Sequence, residues 1–378
     1  MRIINGRIIT CEGPIIENGY VEFIDGKISG IGDMSTLRGD SEAFIDAEEG
    51  YVLPGFIDPH CHVGVGPESS GTIEYSETND PIVPHYRAVD TFYPLDSAAQ
   101  KAMRMGVTTV VTGPGSTTLI GGQMTAMKLN RGFADTAVVR ESCAMKFALG
   151  SAPKSTFGSK GKAPVTRMAI ATMIRETLNS AKLYMIEKEK GINVQYNMKY
   201  EALIPLLKRK IPAHIHCSRM DDIRIAIKLM EEFNIRCVLV HASQVVGMLD
   251  EVKEAGVSLI LGPMYFTSRD WESEGMSFEN PGKTMAYGIP TAICTDACPH
   301  LGSAQLLVTS AALSVRKGMK EEDAIRAITI NAAKTCDIDN RIGSLKVGKD
   351  ADILIFEKHP LDFTSKPKAV FIDGRRMI

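Results

Sequence analysis

The feature that most constrains this chain is residues 53–63, LPGFIDPHCHV, in which two histidines flank a single residue. On a β-strand alternate side chains project from the same face, so the imidazoles of His60 and His62 point the same way. Neighbouring imidazoles of this kind can both bind one divalent metal. A lone His-x-His pair is more often exposed on an edge strand, so this interpretation depends on how the rest of the chain is organised.

From residue 53 to about residue 341, short apolar strands alternate with amphipathic helical patterns. This alternation is typical of a parallel sheet whose strands are joined by helices. Eight such strands closed on themselves form a (β/α)8 TIM barrel, which is the α/β fold class that we predict. The count of eight is approximate, and the third strand is the least clearly marked.

A barrel of this kind carries its active-site groups at the C-terminal ends of its strands, where the βα loops meet. Side chains that can bind a metal recur at this position. They are His60 and His62 after the first strand, Lys146 in CAMKFALG, His216 in PAHIHC, His241 in RCVLVH and Asp296 in TAICTD. This recurrence favours a metal site over an exposed histidine pair.

Several of these residues have alternative interpretations. A lysine such as Lys146 is ordinarily a solvated charge, His241 could be a core histidine, and Asp296 could cap a helix. His214 lies two residues before His216 and projects from the same face, so it is the alternative ligand on that strand. We expect Asp58 to orient a ligand, and Cys61 to face the core.

The two ends of the chain show short strands separated by turn residues. Residues 1–52 contain Asn-Gly and Asp-Gly hairpin signals, and residues 342–378 contain a further Asp-Gly pair. The N-terminal unit is too short to bury a core alone. We therefore predict that residues 1–52 and 342–378 pair in a small β-sandwich domain, with the barrel domain of residues 53–341 inserted between them.

Taken together, PGFIDPHCH, the isolated strand-end histidines, the Thr-Asp pair of the eighth strand and the closing GSLKVGKDADILIFEKHPLD resemble the amidohydrolase superfamily. The resemblance covers nearly the whole chain. The run from Ile215 to Ile223 looks like that of metal-dependent hydrolases related to imidazolonepropionase, and dihydroorotase-like members are also similar. The first and last motifs are specific for the superfamily and much less specific for a substrate.

The resemblance implies a ligand set. His60, His62 and Asp296 would bind the more buried metal, and His216 and His241 would hold a second one. Imidazole and carboxylate ligands suit zinc, which we expect in one or two ions, and also manganese, iron or nickel.

The resemblance also implies a reaction, the hydrolysis of a non-peptide C–N bond of a small molecule by a metal-bound hydroxide. Asp296 would take the proton of that hydroxide and deliver it to the leaving nitrogen. Lys146, if carbamylated by CO2, would bridge both ions; if it is unmodified, we expect a single ion.

Two departures from the superfamily pattern bear on the reaction. Dihydroorotase-like members usually carry a histidine directly after the catalytic aspartate, where this chain has Ala297. Deaminase members usually place a glutamate soon after the fifth-strand histidine, where this chain offers Asp221 and Asp222. Hydrolysis of an amide, lactam or cyclic imide is therefore favoured. A deaminase of an amino-substituted heterocycle and a metallo-dipeptidase are the alternatives, and a non-catalytic scaffold is disfavoured because every candidate ligand is present.

Candidate substrate-binding residues lie in loops. They are His85, Tyr86, Arg219 and His300. Loop lysines 154, 160 and 162 could contact a substrate carboxylate, but exposed lysines are usually only solvated. Residues 64–96, with Tyr75 among them, form a polar loop too long for an ordinary connection, and we predict that it is a substrate lid.

Composition limits the partners and the compartment. The formal net charge of −2 gives no reason to expect a nucleic acid or an anionic membrane as partner. No apolar run approaches the roughly 18 residues of a membrane span. The first residues lack a signal-peptide core, and the eight cysteines show no zinc-finger spacing. We therefore expect a cytoplasmic protein with reduced thiols and a small-molecule substrate; a homo-oligomer is compatible with the sequence.

Overall fold

A computed structural model describes residues 1–39, 43–66, 74–265, 271–298 and 303–378. Within these residues the strands form two eight-stranded sheets. The strands are β1 Arg2–Ile8, β2 Ile16–Ile24, β3 Lys27–Asp33, β4 Phe44–Asp46, β5 Tyr51–Pro54, β6 Phe56–Cys61, β7 Val107–Thr112, β8 Ile120–Lys128, β9 Val138–Ala148, β10 Ala213–Cys217, β11 Cys237–His241, β12 Ser258–Leu261, β13 Thr291–Ile293, β14 Ile353–Phe356, β15 Pro367–Ile372 and β16 Arg375–Arg376. The helices are α1 Ser97–Arg104, α2 Ala134–Ala137, α3 Ser151–Gly158, α4 Arg167–Glu189, α5 Met198–Leu207, α6 Met220–Glu232, α7 Leu249–Glu254, α8 Asn280–Ala286, α9 Leu307–Arg316, α10 Glu321–Ala327 and α11 Ile330–Thr335.

The first sheet contains β6 to β13 in chain order and nearly closes on itself. Backbone hydrogen bonds join its two ends: the Asp296 N–H donates to the His60 carbonyl at 3.1 Å, and the His62 N–H donates to the Ala297 carbonyl at 2.8 Å. Both faces of β6 and β7 are buried, as expected of barrel strands that face the barrel interior on one side and the helices on the other. This nearly closed sheet is consistent with the predicted TIM barrel.

One strand departs from the strict strand–helix alternation. β8 runs antiparallel to both β7 and β9. The connection of residues 113–119 contains no helix and is shorter than the crossover of about a dozen residues that a parallel pair needs. The irregular strand is therefore the third one, which the sequence marks least clearly.

Several helices, among them α1, α4 and α6, bury apolar side chains. In α4, for example, Ile170, Ile174 and Leu178 are buried at helical spacing, whereas Met168 is 77% exposed. The Thr166 hydroxyl begins this helix by accepting a hydrogen bond from the Ala169 N–H at 3.1 Å. Within the described ranges, none of the helices combines the length and apolar character needed to cross a bilayer.

The two ends of the chain meet in the second sheet, as the sequence predicts. β5 from the N-terminal segment pairs antiparallel with β14 from the C-terminal segment, and β5 also pairs with β1. The eight strands β1–β5 and β14–β16 belong to this one sheet, so the two-layer sandwich is not confirmed. The domain boundaries near residues 52 and 342 stay a prediction.

A buried group of charges joins the terminal sheet to the barrel. The Lys128 ammonium, at the end of β8, lies 2.7 Å from Asp350 and 3.1 Å from Asp352, and it also contacts Asp373. Burial alone would lower the pKa of Lys128, but these three carboxylates together raise it. The lysine therefore stays charged and neutralises the buried Asp352, for which it is the one cation within salt-bridge distance among the described residues, whereas Asp350 also pairs with Lys27 and Arg341.

Replacing Lys128 with Met should destabilise the protein by about 3–5 kcal/mol, because the change leaves the buried Asp352 carboxylate without its cation. Denaturant-induced unfolding followed by circular dichroism measures this loss. Lys208→Met is the matched control, since Lys208 pairs with Glu189 at 2.7 Å on the surface. Its expected cost is below about 1 kcal/mol. Equal losses in the two variants would contradict the assigned role of Lys128.

Candidate metal centre

The six predicted metal ligands come together at one end of the barrel. They are His60 at the end of β6 and His62 just beyond it, Lys146 in β9, His216 in β10, His241 at the end of β11 and Asp296 after β13. Five of them are buried, and only His216 is partly exposed. The arrangement follows from the parallel strands, whose C-terminal ends meet at one face of the barrel.

His60, His62 and Asp296 form a group with metal-binding geometry. Their ligand atoms all lie within 4.8 Å of one another. The Asp296 Oδ1 atom is 3.5 Å from His60 Nε2 and 3.4 Å from His62 Nε2. Two imidazole nitrogens and one carboxylate oxygen at this spacing are a donor set that suits zinc.

The remaining candidates lie beside this group. The Lys146 ammonium nitrogen is 3.0 Å from His60 Nε2. The rings of His216 and His241 meet edge to face with centroids 4.5 Å apart, and the His241 ring is 5.6 Å from that of His60. One continuous cluster therefore contains all six side chains.

Partners on the far nitrogens orient three of the imidazoles. His62 Nδ1 lies 2.7 Å from the Gly113 carbonyl, and His241 Nδ1 lies 2.5 Å from the Gly262 carbonyl. Because a carbonyl can only accept, each Nδ1 carries the proton and each Nε2 keeps its lone pair. His216 Nδ1 is bonded to the Ser116 hydroxyl at 2.9 Å. This is the outer-shell arrangement that metal-binding histidines ordinarily have.

The hydrogen-bond partners of the ring nitrogens also distinguish His216 from His214, the alternative ligand on β10. His216 Nε2 is buried and has no hydrogen-bond partner among the described residues, which leaves its lone pair for a ligand. His214 instead donates from Nε2 to the Thr335 carbonyl at 2.9 Å, although its Nδ1 is also buried without a partner in the described ranges. The ring contact with His241 is made by His216. The geometry therefore favours His216 as the metal-binding residue of β10.

Burial sets the charge states of the cluster. Removal from water lowers the pKa of His60, His216 and His241, so these imidazoles are neutral as metal binding requires. Burial also lowers the pKa of Lys146 to about 8. Burial alone would raise the pKa of Asp296, but the neighbouring His241, His62 and Lys146 hold it below its usual range.

The backbone is strained at two of the six positions. His241 has φ 71° and Asp296 has φ 51°, and Ala242 beside His241 has φ 40°. Non-glycine residues rarely adopt this left-handed region, and such strain concentrates at functional sites. The chain thus turns sharply just where β11 ends and again in the segment that follows β13.

The predicted substrate-binding residues do not join the cluster in the described part of the chain. His85 contacts the Tyr86 ring at 4.9 Å, and the Tyr86 hydroxyl is 3.5 Å from Glu77. Arg219 pairs with Asp221 at 3.0 Å. His300 lies outside the described residues.

The described part of the predicted lid, residues 74–96, is attached to the barrel. Backbone hydrogen bonds run from Gly115 to Tyr75 at 2.8 Å, from Val83 to Ile120 at 2.8 Å and from Gln123 to Tyr86 at 2.8 Å. In this part the segment forms a fixed wall along the start of β8.

The two aspartates that follow β10 both form ion pairs with arginines. Asp222 is 1% exposed, and both of its carboxylate oxygens accept from Arg167, at 2.7 and 2.9 Å. Asp221 is held by Arg219. Neither carboxylate is free to replace the glutamate that deaminases of the superfamily usually carry after this strand.

Two residues that contact the cluster were not predicted from the sequence. Ser116 bonds to His216 from the turn after β7, and Tyr75 stacks on His62 from the wall segment. Both residues lie in irregular loops, where no strand periodicity indicates the direction of a side chain. The Gly-Pro-Gly-Ser run at residues 113–116 is the one local signal, because it marks a tight turn beside the site.

The contrast between the two histidines of β10 can be tested. His216→Asn should weaken zinc binding by at least about tenfold, since even outer-shell changes cost that much. His214→Asn should leave zinc affinity unchanged but destabilise the protein by about 1–3 kcal/mol, because its buried bond to Thr335 is lost. Zinc titration and thermal unfolding of both variants measure these effects. The opposite pattern would make His214 the ligand.

Comparisons with known proteins agree with this site and fold. The Amidohydrolase family model matches residues 51–377. The crystal structure of an amidohydrolase from Thermotoga maritima MSB8 aligns with a TM-score of 0.94 and 30% identity, covering 100% of this chain and 99% of that one.

Curated relatives are more distant. The imidazolonepropionase of Maricaulis maris is 22% identical over 362 residues, which cover 91% of this chain and 88% of that protein. Amidohydrolase tasK of Hapsidospora irregularis is 25% identical over 394 residues, which cover 95% of this chain but 39% of that protein. This chain therefore spans well under half of tasK. The family match over most of the chain confirms the resemblance seen in the sequence: the protein belongs to the amidohydrolase family.

Proposed function

We propose that this protein is a metal-dependent hydrolase of a non-peptide C–N bond in a small molecule, namely an amide, lactam or cyclic imide. The observation that carries the proposal is the His60–His62–Asp296 group at the loop end of an amidohydrolase barrel. The relatives named amidohydrolase and imidazolonepropionase support the same class of reaction.

The donor set fits a divalent metal, and zinc fits best. His60, His62 and Asp296 would hold one ion, and His216 and His241 would hold a second. When bound, such a metal polarises the substrate carbonyl and lowers the pKa of a water molecule. The buried His216 Nε2, which has no partner in the described ranges, supports a ligand at this position.

We also propose that Lys146 carries a carbamate. Its pKa of about 8 leaves a substantial neutral fraction near physiological pH, and only the neutral amine reacts with CO2. In that reaction Nζ forms a bond to the carbon of CO2 and loses one proton to solvent, so the side chain becomes a carboxylate. A carboxylate at Lys146, whose Nζ lies 3.0 Å from His60 Nε2, would add an oxygen ligand to this cluster.

Asp296 is the residue proposed to move protons. Its lowered pKa keeps it ionised and able to accept the proton of the attacking water. It would then hand that proton to the nitrogen of the leaving group as the C–N bond breaks. Among the described residues, no other carboxylate shares the metal-binding group with His60 and His62.

Deamination and dipeptide hydrolysis are the alternatives on the same fold. Deamination of a heterocycle needs an acid that protonates the ring nitrogen, and the arginine partners of Asp221 and Asp222 count against these two aspartates. A non-catalytic scaffold is disfavoured because the complete ligand set is retained. Hydrolysis of an amide, lactam or imide is therefore the function that the geometry supports best.

For the cellular setting we propose a cytoplasmic enzyme that acts on a small molecule, with neither a nucleic acid nor a membrane as partner. The eight cysteines, all within the described residues, are buried thiols without a disulfide, as expected in a reducing compartment. The net charge of −2 supports the exclusion of polyanionic partners. A homo-oligomer is compatible with this proposal.

Asp296→Asn should remain folded and lose at least about a hundredfold in kcat, because general acid–base catalysis contributes about 10²–10⁴. A panel of amides, lactams and cyclic imides, assayed for ring opening or amine release, measures this loss in zinc-loaded protein. Amino-substituted heterocycles, assayed for ammonia, test the deaminase alternative in the same experiment. Full activity of the variant, or activity that survives chelation, would contradict the proposal.

Lys146→Ala should reduce the bound zinc from close to two ions per chain to one or none. Elemental analysis of protein purified without chelator, with and without added bicarbonate, measures this stoichiometry. Lys154→Ala is the control, since Lys154 follows the same strand and lies in α3. One ion per chain in the wild type, unchanged in Lys146→Ala, would show a mononuclear site and remove the carbamate from the mechanism.

A further inference from the structure

An aromatic ring from outside the barrel strands covers one of the proposed metal ligands. The Tyr75 ring lies parallel to the His62 imidazole, with centroids 4.5 Å apart and an interplanar angle of 9°. His62 is 4% exposed. Because Nδ1 of His62 is bonded to the Gly113 carbonyl, the stacked tyrosine completes the restraint of the ring that presents Nε2 to Asp296.

The position of Tyr75 is prepared by two glycines. A Cβ atom at Gly66 would lie 2.6 Å from Tyr75 Cδ1, and a Cβ atom at Gly115 would lie 2.8 Å from Tyr75 Cδ2. Both separations are closer than carbon atoms approach without a clash. The ring therefore occupies a slot that only residues without a side chain leave open.

Further contacts fix both ends of the tyrosine. The Gly115 N–H donates to the Tyr75 carbonyl at 2.8 Å, and the Tyr75 hydroxyl is hydrogen-bonded to the Cys298 thiol. Cys298 follows Asp296 by two residues, so the tyrosine links the wall segment to the turn that carries the proposed proton carrier. A ring held at its backbone, its edges and its hydroxyl has little freedom to leave the imidazole.

We infer that Tyr75 is a positioning residue of the metal centre, a role that rests on the proposed function. Its ring holds the plane of His62 and covers one face of this imidazole. Outer contacts of this kind orient metal ligands and limit solvent access to the site. This restraint slows the release of the bound metal. The effect requires no contact between Tyr75 and the substrate.

The test measures zinc release from the full-length, zinc-loaded protein to a chromophoric chelator, without substrate. Tyr75→Leu should release zinc about 10-fold faster or more, the scale known for outer-shell changes. Tyr75→Phe keeps the ring and loses only the hydroxyl, so it should stay within about twofold of the wild type. Tyr93→Leu is the matched control, because Tyr93 lies on the same segment with its side chain 44% exposed.

A second variant reaches the same ring without replacing it. Gly66→Ala places a methyl group 2.6 Å from Tyr75 Cδ1, so it should displace the ring and also speed zinc release. Thermal unfolding checks that each variant is folded. Release from Tyr75→Leu at the wild-type rate overturns the inference, and so does equally fast release from Tyr75→Phe. A wild-type protein that takes up no zinc instead overturns the proposed function.

Discussion

The arrangement of the site depends on one buried carboxylate that joins the first and last strands of the barrel. Asp58 accepts hydrogen bonds from the N–H groups of Thr295 at 3.2 Å and His60 at 3.4 Å, and from the Thr295 hydroxyl. Burial raises its pKa to about 7, although these hydrogen bonds favour its charged form. Because Asp58 lies in β6 and binds Thr295 just after β13, it fixes the position of His60 and His62 relative to Asp296.

The strained conformation of Asp296 follows from this connection. The Asp296 N–H reaches back to the His60 carbonyl at 3.1 Å, while its carboxylate points at His60 and His62. Both contacts are made with φ at 51°, which costs of the order of 1–3 kcal/mol. The Thr295 hydroxyl, bound to Asp58, also accepts from the Ala297 N–H at 3.2 Å. The turn is therefore fixed on both sides of Asp296, and this network offsets the strain.

The sequence could locate the site because the two-residue periodicity of a strand predicts the direction in which each side chain points. His60, His62 and His241 end apolar strands, so their direction follows from the alternation of side chains. The choice between His214 and His216 needed the position of the Thr335 carbonyl, which is distant in the chain. Likewise, the antiparallel direction of β8 and the stacking of Tyr75 depend on loops without periodicity. Local patterns thus indicated the side chains of the cluster, whereas long-range contacts decided their surroundings.

β8 connects the terminal sheet to the metal centre because it runs antiparallel. Its first residues lie at the loop end of the barrel, where Gly122 is in register with Lys146. Its last residue, Lys128, lies at the opposite end among the aspartates of the closing GKDAD motif. A strand fixed at one end cannot slide along its neighbours without breaking their hydrogen bonds. The C-terminal aspartates therefore fix the far end of the strand whose beginning pairs with the Lys146 segment, which links the closing motif of the chain to the loop end of the barrel.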